Sequence, residues 1–128
     1  MARYEEWINR AKSNLELARA KTSPIIYYED LCNQSQQSAE KALKGLLIYY
    51  GVEPDFTHNI EILINGLKKF TEVPENIKEA ALLTNYAVFI KYPGDYEEIT
   101  KEEYEKSIQL AKECLEWVEE KIKKANDS

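Results

Sequence analysis

The chain has 128 residues, 17 Lys plus Arg against 23 Asp plus Glu, and a formal net charge of −6. With 44% hydrophobic and 31% charged residues, its composition excludes a disordered tail, and its longest apolar stretches, Leu46 to Tyr50 and Tyr86 to Ile90, fall far short of a membrane span. The acidic balance argues against broad electrostatic binding of nucleic acid, two Cys cannot build a disulfide framework, and one His excludes any mechanism that needs two imidazoles within the chain.

A single domain over residues 1–128 is expected, in a reducing cytoplasm and away from membranes. From Tyr4 the apolar residues run Tyr4, Ile8, Ala11, Leu15, Ala18, one face of a helix. Ser23-Pro24 reads as N-cap and first turn of a second helix that continues to Tyr50 and stops at Gly51. A loop with Pro54 follows, then a shorter helix with Ile60, Leu63, Ile64, Leu67 and Phe70 on one side, broken at Thr71 to Pro74. Residues 75 to about 90 read as a fourth helix, apolar all round its last half and therefore central in the core. Lys91 to Ile99, with Pro93 and Gly94, reads as a loop. Thr100 and Glu103 form a capping box for the last helix, whose Tyr104, Ile108, Ala111, Leu115, Val118 and Ile122 keep helical spacing. The chain is expected to be all-α: an up-and-down antiparallel four-helix bundle with an additional short helix, about five helices in all.

The second helix carries six uncharged polar residues in a row, Asn33 to Ser38. Its stripe Leu31, Ser35, Ser38, Ala42, Gly45, Tyr49 suits a tight helix crossing or a dimer face. Gln37, Glu40, Lys41 and Lys44, one turn apart on the more polar side, suit a ligand groove. His58, just past the Pro54 loop, is either a capping or packing residue or a general base without an orienting carboxylate in its own stretch of sequence. Cys32 and Cys114 sit at unrelated spacings on packed faces, so neither a metal nor a cofactor is expected. The loop residues Lys91, Tyr92, Asp95 and Tyr96 combine a cation, two aromatics and a carboxylate, which serves phosphate contact and base stacking or an ordinary Pro-Gly-Asp turn. No Gly-rich phosphate loop, GxSxG or Walker motif is present.

Taken in order, these positions resemble the HEPN family (higher eukaryote and prokaryote nucleotide-binding domains). The resemblance rests on Trp7 and Ala11 in the first helix, then Gln36-Gln37-Ser38-Ala39-Glu40-Lys41-Ala42-Leu43-Lys44. Gly51 follows, then His58-Asn59-Ile60, then Lys91-Tyr92-Pro93-Gly94-Asp95, and it spans nearly the whole chain. It implies a bundle of about five helices that commonly forms a homodimer. Family members frequently serve as partner or substrate-binding subunits of small nucleotidyltransferases, in toxin–antitoxin-like pairs; others are ribonucleases that use an Arg followed, after four to six residues, by a His. Here Lys91 holds the Arg-like position and Tyr96 stands where the His would be. Lysine lacks the planar fork that suits phosphate, and a phenol is a poor substitute for imidazole.

The resulting expectation is a non-catalytic nucleotide- or nucleic-acid-binding module working with a nucleotidyltransferase. Lys91, with Lys41 or Lys44, would contact phosphate, Tyr92 or Tyr96 would stack on a base, and His58 would donate a hydrogen bond. The alternatives are a purely protein–protein module and a metal-independent ribonuclease using Lys91 and His58.

Overall fold

The structure is a computed structural model and describes residues 3–87 and 98–127. The described residues form α1 (Tyr4–Ala18), α2 (Tyr28–Tyr49), α3 (Ile60–Leu67), α4 (Glu75–Lys78), a 3-10 helix (Glu79–Tyr86) and α5 (Lys101–Asp127). None of them is in a strand. In α1 the expected stripe is the buried one, with Ile8, Ala11, Leu15 and Ala18 inside. Glu5 and Glu6 lie in the first turn, where backbone N–H groups favour negative charge.

The second helix begins later than Ser23-Pro24 suggests. Ser23 instead organises a single turn, its hydroxyl accepting from the Ile25 amide at 3.3 Å and its carbonyl from the Ile26 amide at 3.2 Å. The helix starts at Tyr28, whose ring stacks on Tyr104 of α5 at 4.9 Å. Tertiary packing, not the local cap, sets that start. The stop falls where expected. Gly51, at φ 85°, donates to the Ile48 carbonyl and Val52 to that of Leu47, the paired bonds of a helix end that only a left-handed residue completes.

Asn59 caps α3, its side chain accepting from the Glu61 amide at 3.0 Å. Ile60, Leu63, Ile64 and Leu67 are buried as expected, but Phe70 lies beyond the helix, half exposed and stacked on Tyr50. The expected long helix from residue 75 is one α-turn followed by eight residues of 3-10 helix. It is also less central than its composition suggests: Ile77, Ala80 and Leu83 are buried whereas Leu82 is 55% exposed. At three residues per turn the apolar residues stack in rows, and only one row can face the core. The remainder of that stretch, residues 88–90, lies outside the described residues. At the start of α5 the Thr100 hydroxyl accepts from the Glu103 amide at 3.0 Å, and the Glu103 carboxylate accepts from the Tyr86 hydroxyl at 3.3 Å.

Cross-contacts give the topology. Ser38 of α2 meets Ala11 of α1 and Gly45 meets Trp7 and Ile8, so α1 and α2 are antiparallel. Lys12 meets Glu119, so α5 is antiparallel to α1. Ser35 with Ser107 and Tyr49 with Asn126 make α5 run with α2. Lys106 with Glu79 and Tyr86 with Glu103 turn the α4 and 3-10 segment against α5. Four helical stretches thus alternate up and down, and α3 is the additional short helix. The loop between α2 and α3 climbs back to the level of Gln36, where that side chain donates to the His58 carbonyl, so α3 descends beside α2. One continuous core joins the five helices and the 3-10 segment.

Candidate functional site

The small-residue stripe of α2 is spent on helix crossings. A Cβ at Gly45 would lie 3.1 Å from Ile8 Cδ1 and 3.1 Å from Trp7 Cβ. The Ser38 hydroxyl donates to the Ala11 carbonyl at 2.8 Å, and the Ser107 hydroxyl to Ser35 at 3.1 Å. With that side of α2 committed to α1 and α5, Lys41 reaches Asn14 of α1, the Gln36–Glu40–Lys44 row meets the climbing loop at His58, and Asn33, joined to Gln37, reaches the 3-10 helix.

Glu40 is the centre of this face. Its side chain is 8% exposed, a position where an unpaired carboxylate would be costly. Lys44 Nζ donates to Glu40 Oε2 at 2.9 Å, while Gln36 Nε2 and His58 Nδ1 both lie 2.9 Å from Oε1. Burial pushes the Glu40 carboxyl up, but the hydrogen bonds from Lys44, His58 and Gln36, with the Lys44 charge, outweigh it and hold the group below its ordinary 4.5. Gln36 Oε1 is buried with no hydrogen-bond partner among the described residues.

Lys44 is therefore not the solvent-facing cation that its sequence position suggests. Its side chain is 9% exposed, paired with Glu40 and 5.8 Å from the centre of the Trp7 ring. Lys41 is half-buried and donates to Asn14 Oδ1 at 2.9 Å, and Asn14 in turn donates to Gln34. Burial lowers the Lys41 ammonium below its ordinary 10.5, and the Arg10 charge lowers it further; Glu40 opposes the shift and Lys44 adds to it. Gln37 donates to Asn33 at 2.6 Å, and Asn33 donates to the Tyr86 carbonyl at 2.8 Å.

His58 is neither a cap nor a packed core residue. Asn59 supplies the cap, and the His58 side chain is 65% exposed with its Nδ1 edge against Glu40. Of the residues singled out in the sequence, His58, Lys44, Lys41 and Gln37 thus come together around α2, whereas Lys91, Tyr92, Asp95 and Tyr96 lie outside the described residues. The i, i+4 spacing of Gln36, Glu40 and Lys44 was readable. Glu40 as the partner of His58, 18 residues on, was not, because helical periodicity says nothing of what a loop brings back. Arg10 and Asn14, on another helix, carried no signal either.

None of these residues lines the groove of about 410 Å³ between α1 and α5, which Tyr4, Ile8, Glu119 and Ile122 border. Among the described residues no three His, Cys, Asp or Glu side chains cluster as metal ligands would. No described helix is long and apolar enough to cross a membrane. Chemically, the face offers a carboxylate-oriented imidazole on one flank and the cations Arg10 and Lys41 on the other, an arrangement suited to an anion that carries a hydrogen-bonding group at its far end.

The HEPN domain family model matches residues 4–121. The chain is similar to ST0689, an archaeal HEPN homologue, with 37% identity and a TM-score of 0.78 over 95% of this chain and 99% of that one. It is likewise similar to TT1696 from Thermus thermophilus, with 34% identity and a TM-score of 0.80 over 94% of this chain and 99% of the other. No curated protein matches the chain significantly. A family match over nearly the whole length, on a helical bundle shared with an archaeal HEPN homologue, makes this chain a member of the HEPN domain family.

Proposed function

We propose that this chain is a non-catalytic HEPN module that binds a nucleotide or a nucleic-acid end through the polar face of α2. We propose further that it works as a homodimer and as the substrate-binding partner of a small nucleotidyltransferase, as in a toxin–antitoxin-like pair. The observation that carries the reading is the placement of Arg10 and Lys41 together in a protein whose net charge is −6. Lys41 bears an unfavourable burial and repulsion that a bound phosphate would relieve. Lys91, by its family position, and Tyr92 or Tyr96, by their chemistry, would add a phosphate contact and a stacking surface.

Ribonuclease chemistry is not part of the proposal, since Lys91 and Tyr96 stand where the family's nuclease branch has Arg and His. Nor is a docking face on the small-residue stripe, since α1 and α5 occupy it. Calorimetric titration with ATP, GTP and a short RNA, repeated on Lys41→Ala and Lys91→Ala, tests the reading. Saturable binding that each substitution weakens about tenfold supports it, the size expected for a charged hydrogen bond. No heat up to millimolar ligand, or affinity unchanged in both variants, overturns it.

A further inference from the structure

We infer that Glu40 is a positioning residue whose grip on Nδ1 turns the His58 Nε2 outward to read a ribose hydroxyl, so that the face selects ribonucleotides over deoxyribonucleotides. This rests on the nucleotide reading above and names the part of the ligand that His58 meets.

The argument begins with what Glu40 can do. A carboxylate accepts hydrogen bonds and cannot donate them. At 2.9 Å from Oε1, Nδ1 of His58 must therefore carry the proton, whether the ring is neutral or charged. A free imidazole prefers its proton on Nε2, so the contact selects the less common form. It also fixes the ring. The His58 side chain is 65% exposed, whereas Glu40 is 8% exposed and is itself held by Lys44 and Gln36. The buried core of α2 thus sets the direction of an otherwise free surface side chain.

The nitrogen left for a ligand is Nε2, which accepts when the ring is neutral and donates when it is charged. A phosphate accepts only, and satisfies one of those two states. A sugar hydroxyl both donates and accepts, and satisfies either. The cations lie on the other flank of the same helix, where Lys41 reaches Asn14 of α1 and feels Arg10, while His58 comes from the climbing loop. Phosphate on the α1 flank places the sugar toward the loop, over His58. The hydrogen bond expected of His58 from the sequence is thereby given a partner, the sugar hydroxyl.

Two measurements test this, and only the second needs a ligand. Long-range ¹H–¹⁵N NMR of the intact protein reads which ring nitrogen of neutral His58 is protonated. The Nδ1–H form is expected in the wild type and in Glu40→Gln, whose amide oxygen still accepts; Glu40→Ala should revert to the Nε2–H form. If Glu40→Ala does not fold, the pair Glu40→Met with Lys44→Met leaves no lone buried charge and predicts the same reversion. A wild type with Nε2–H, or a Glu40→Ala or double-Met variant that keeps the Nδ1–H form, overturns the positioning role whatever is bound.

Calorimetry with ATP, 2′-deoxyATP and 3′-deoxyATP then reads the hydroxyl. Loss of the 2′-hydroxyl should weaken wild-type binding about fivefold, the size of one neutral hydrogen bond, whereas loss of the 3′-hydroxyl should leave it unchanged. That ratio should fall to one in His58→Ala and in Glu40→Ala, or in the double-Met variant where it replaces it. Equal affinities for ATP and 2′-deoxyATP, with the Nδ1–H form in place, overturn the hydroxyl reading alone. No binding of ATP by the wild type overturns the nucleotide reading and the hydroxyl role with it, while the NMR result for Glu40 stands.

Discussion

The hydroxyl of Tyr104 donates to the carbonyl of Ala18 at 2.6 Å, tying the last residue of α1 to the first turn of α5 across 86 residues of sequence. The last carbonyls of a helix have no partner within it, and here a buried phenol supplies one. Burial, with the neighbouring Cys32, Tyr28 and Glu105, also pushes the Tyr104 hydroxyl above its ordinary 10.0, so it stays a donor through the neutral range. Tyr104→Phe keeps the stacking on Tyr28 and removes only the donor. It should cost about 1–2 kcal/mol, the penalty for leaving a buried carbonyl unpaired. Urea unfolding should show a lower midpoint with an unchanged slope.

Gly45 sits where α1 crosses α2. In an open helix Gly→Ala stabilises by about 1 kcal/mol. Here the added carbon meets Ile8 Cδ1, which can rotate away, and Trp7 Cβ, which can move only with the α1 backbone. Gly45→Ala should therefore be net destabilising by up to about 2 kcal/mol, the range for overpacked cores less the propensity gain. Thermal unfolding checks it; a raised Tm would show that α1 shifts freely.

The buried pair Glu40 and Lys44 should behave non-additively. Lys44→Met alone leaves a buried carboxylate with reduced compensation and should cost about 3 kcal/mol. Replacing both residues by Met should cost less than that single change, a result that a double-mutant cycle reads directly. Acid provides a second check. Glu40 is held below its ordinary 4.5 in the folded chain, so its contribution is complete above that value and is lost as pH falls through the lower, folded value. Stability of the wild type should drop over this acid interval more steeply than that of the double-Met variant.

Cys114 is fully buried and its thiol is pushed up to about 12, chiefly by burial and next by Glu113. Cys32 is equally enclosed. Neither should react with an aromatic disulfide reagent near pH 8 in the folded protein, and both should react at once in guanidinium chloride. Rapid labelling of either thiol in the native state would contradict this packing.

How far the sequence carries this account depends on the kind of relationship. Contacts along one helix face were readable, since Ile8, Ala11, Leu15 and Ala18 on α1 and Tyr104, Ala111, Leu115, Val118 and Ile122 on α5 all turn inward. Gly51 as a helix end was readable too, because only a residue without a side chain takes that conformation at no cost. The start of α2 was not, since Ser23 offers a local cap but Tyr28 stacks on a residue near the far end of the chain. Residues 79–86 have the composition of a core helix yet wind as a 3-10 helix, a difference of backbone geometry that apolar content does not encode. At the candidate site the polar row of α2 was visible. The burial of Lys44 and the meeting of Glu40 with His58 depend on a loop that doubles back.

The eight-residue 3-10 stretch gives the polar face of α2 two unequal banks. On one side stands α1, fifteen residues of regular helix locked by Ser38 and the close crossing at Gly45. On the other, the Tyr86 carbonyl that anchors Asn33 belongs to a winding whose hydrogen bonds are strained in direction and which proteins seldom extend beyond four residues. Backbone amides there should exchange with solvent faster than those in the middle of α1, which hydrogen-exchange measurement reads. A guest bound as proposed above would be accommodated from that bank, by a shift of Asn33 and Tyr86, with Lys41 and Glu40 keeping their places against α1 and the rest of α2.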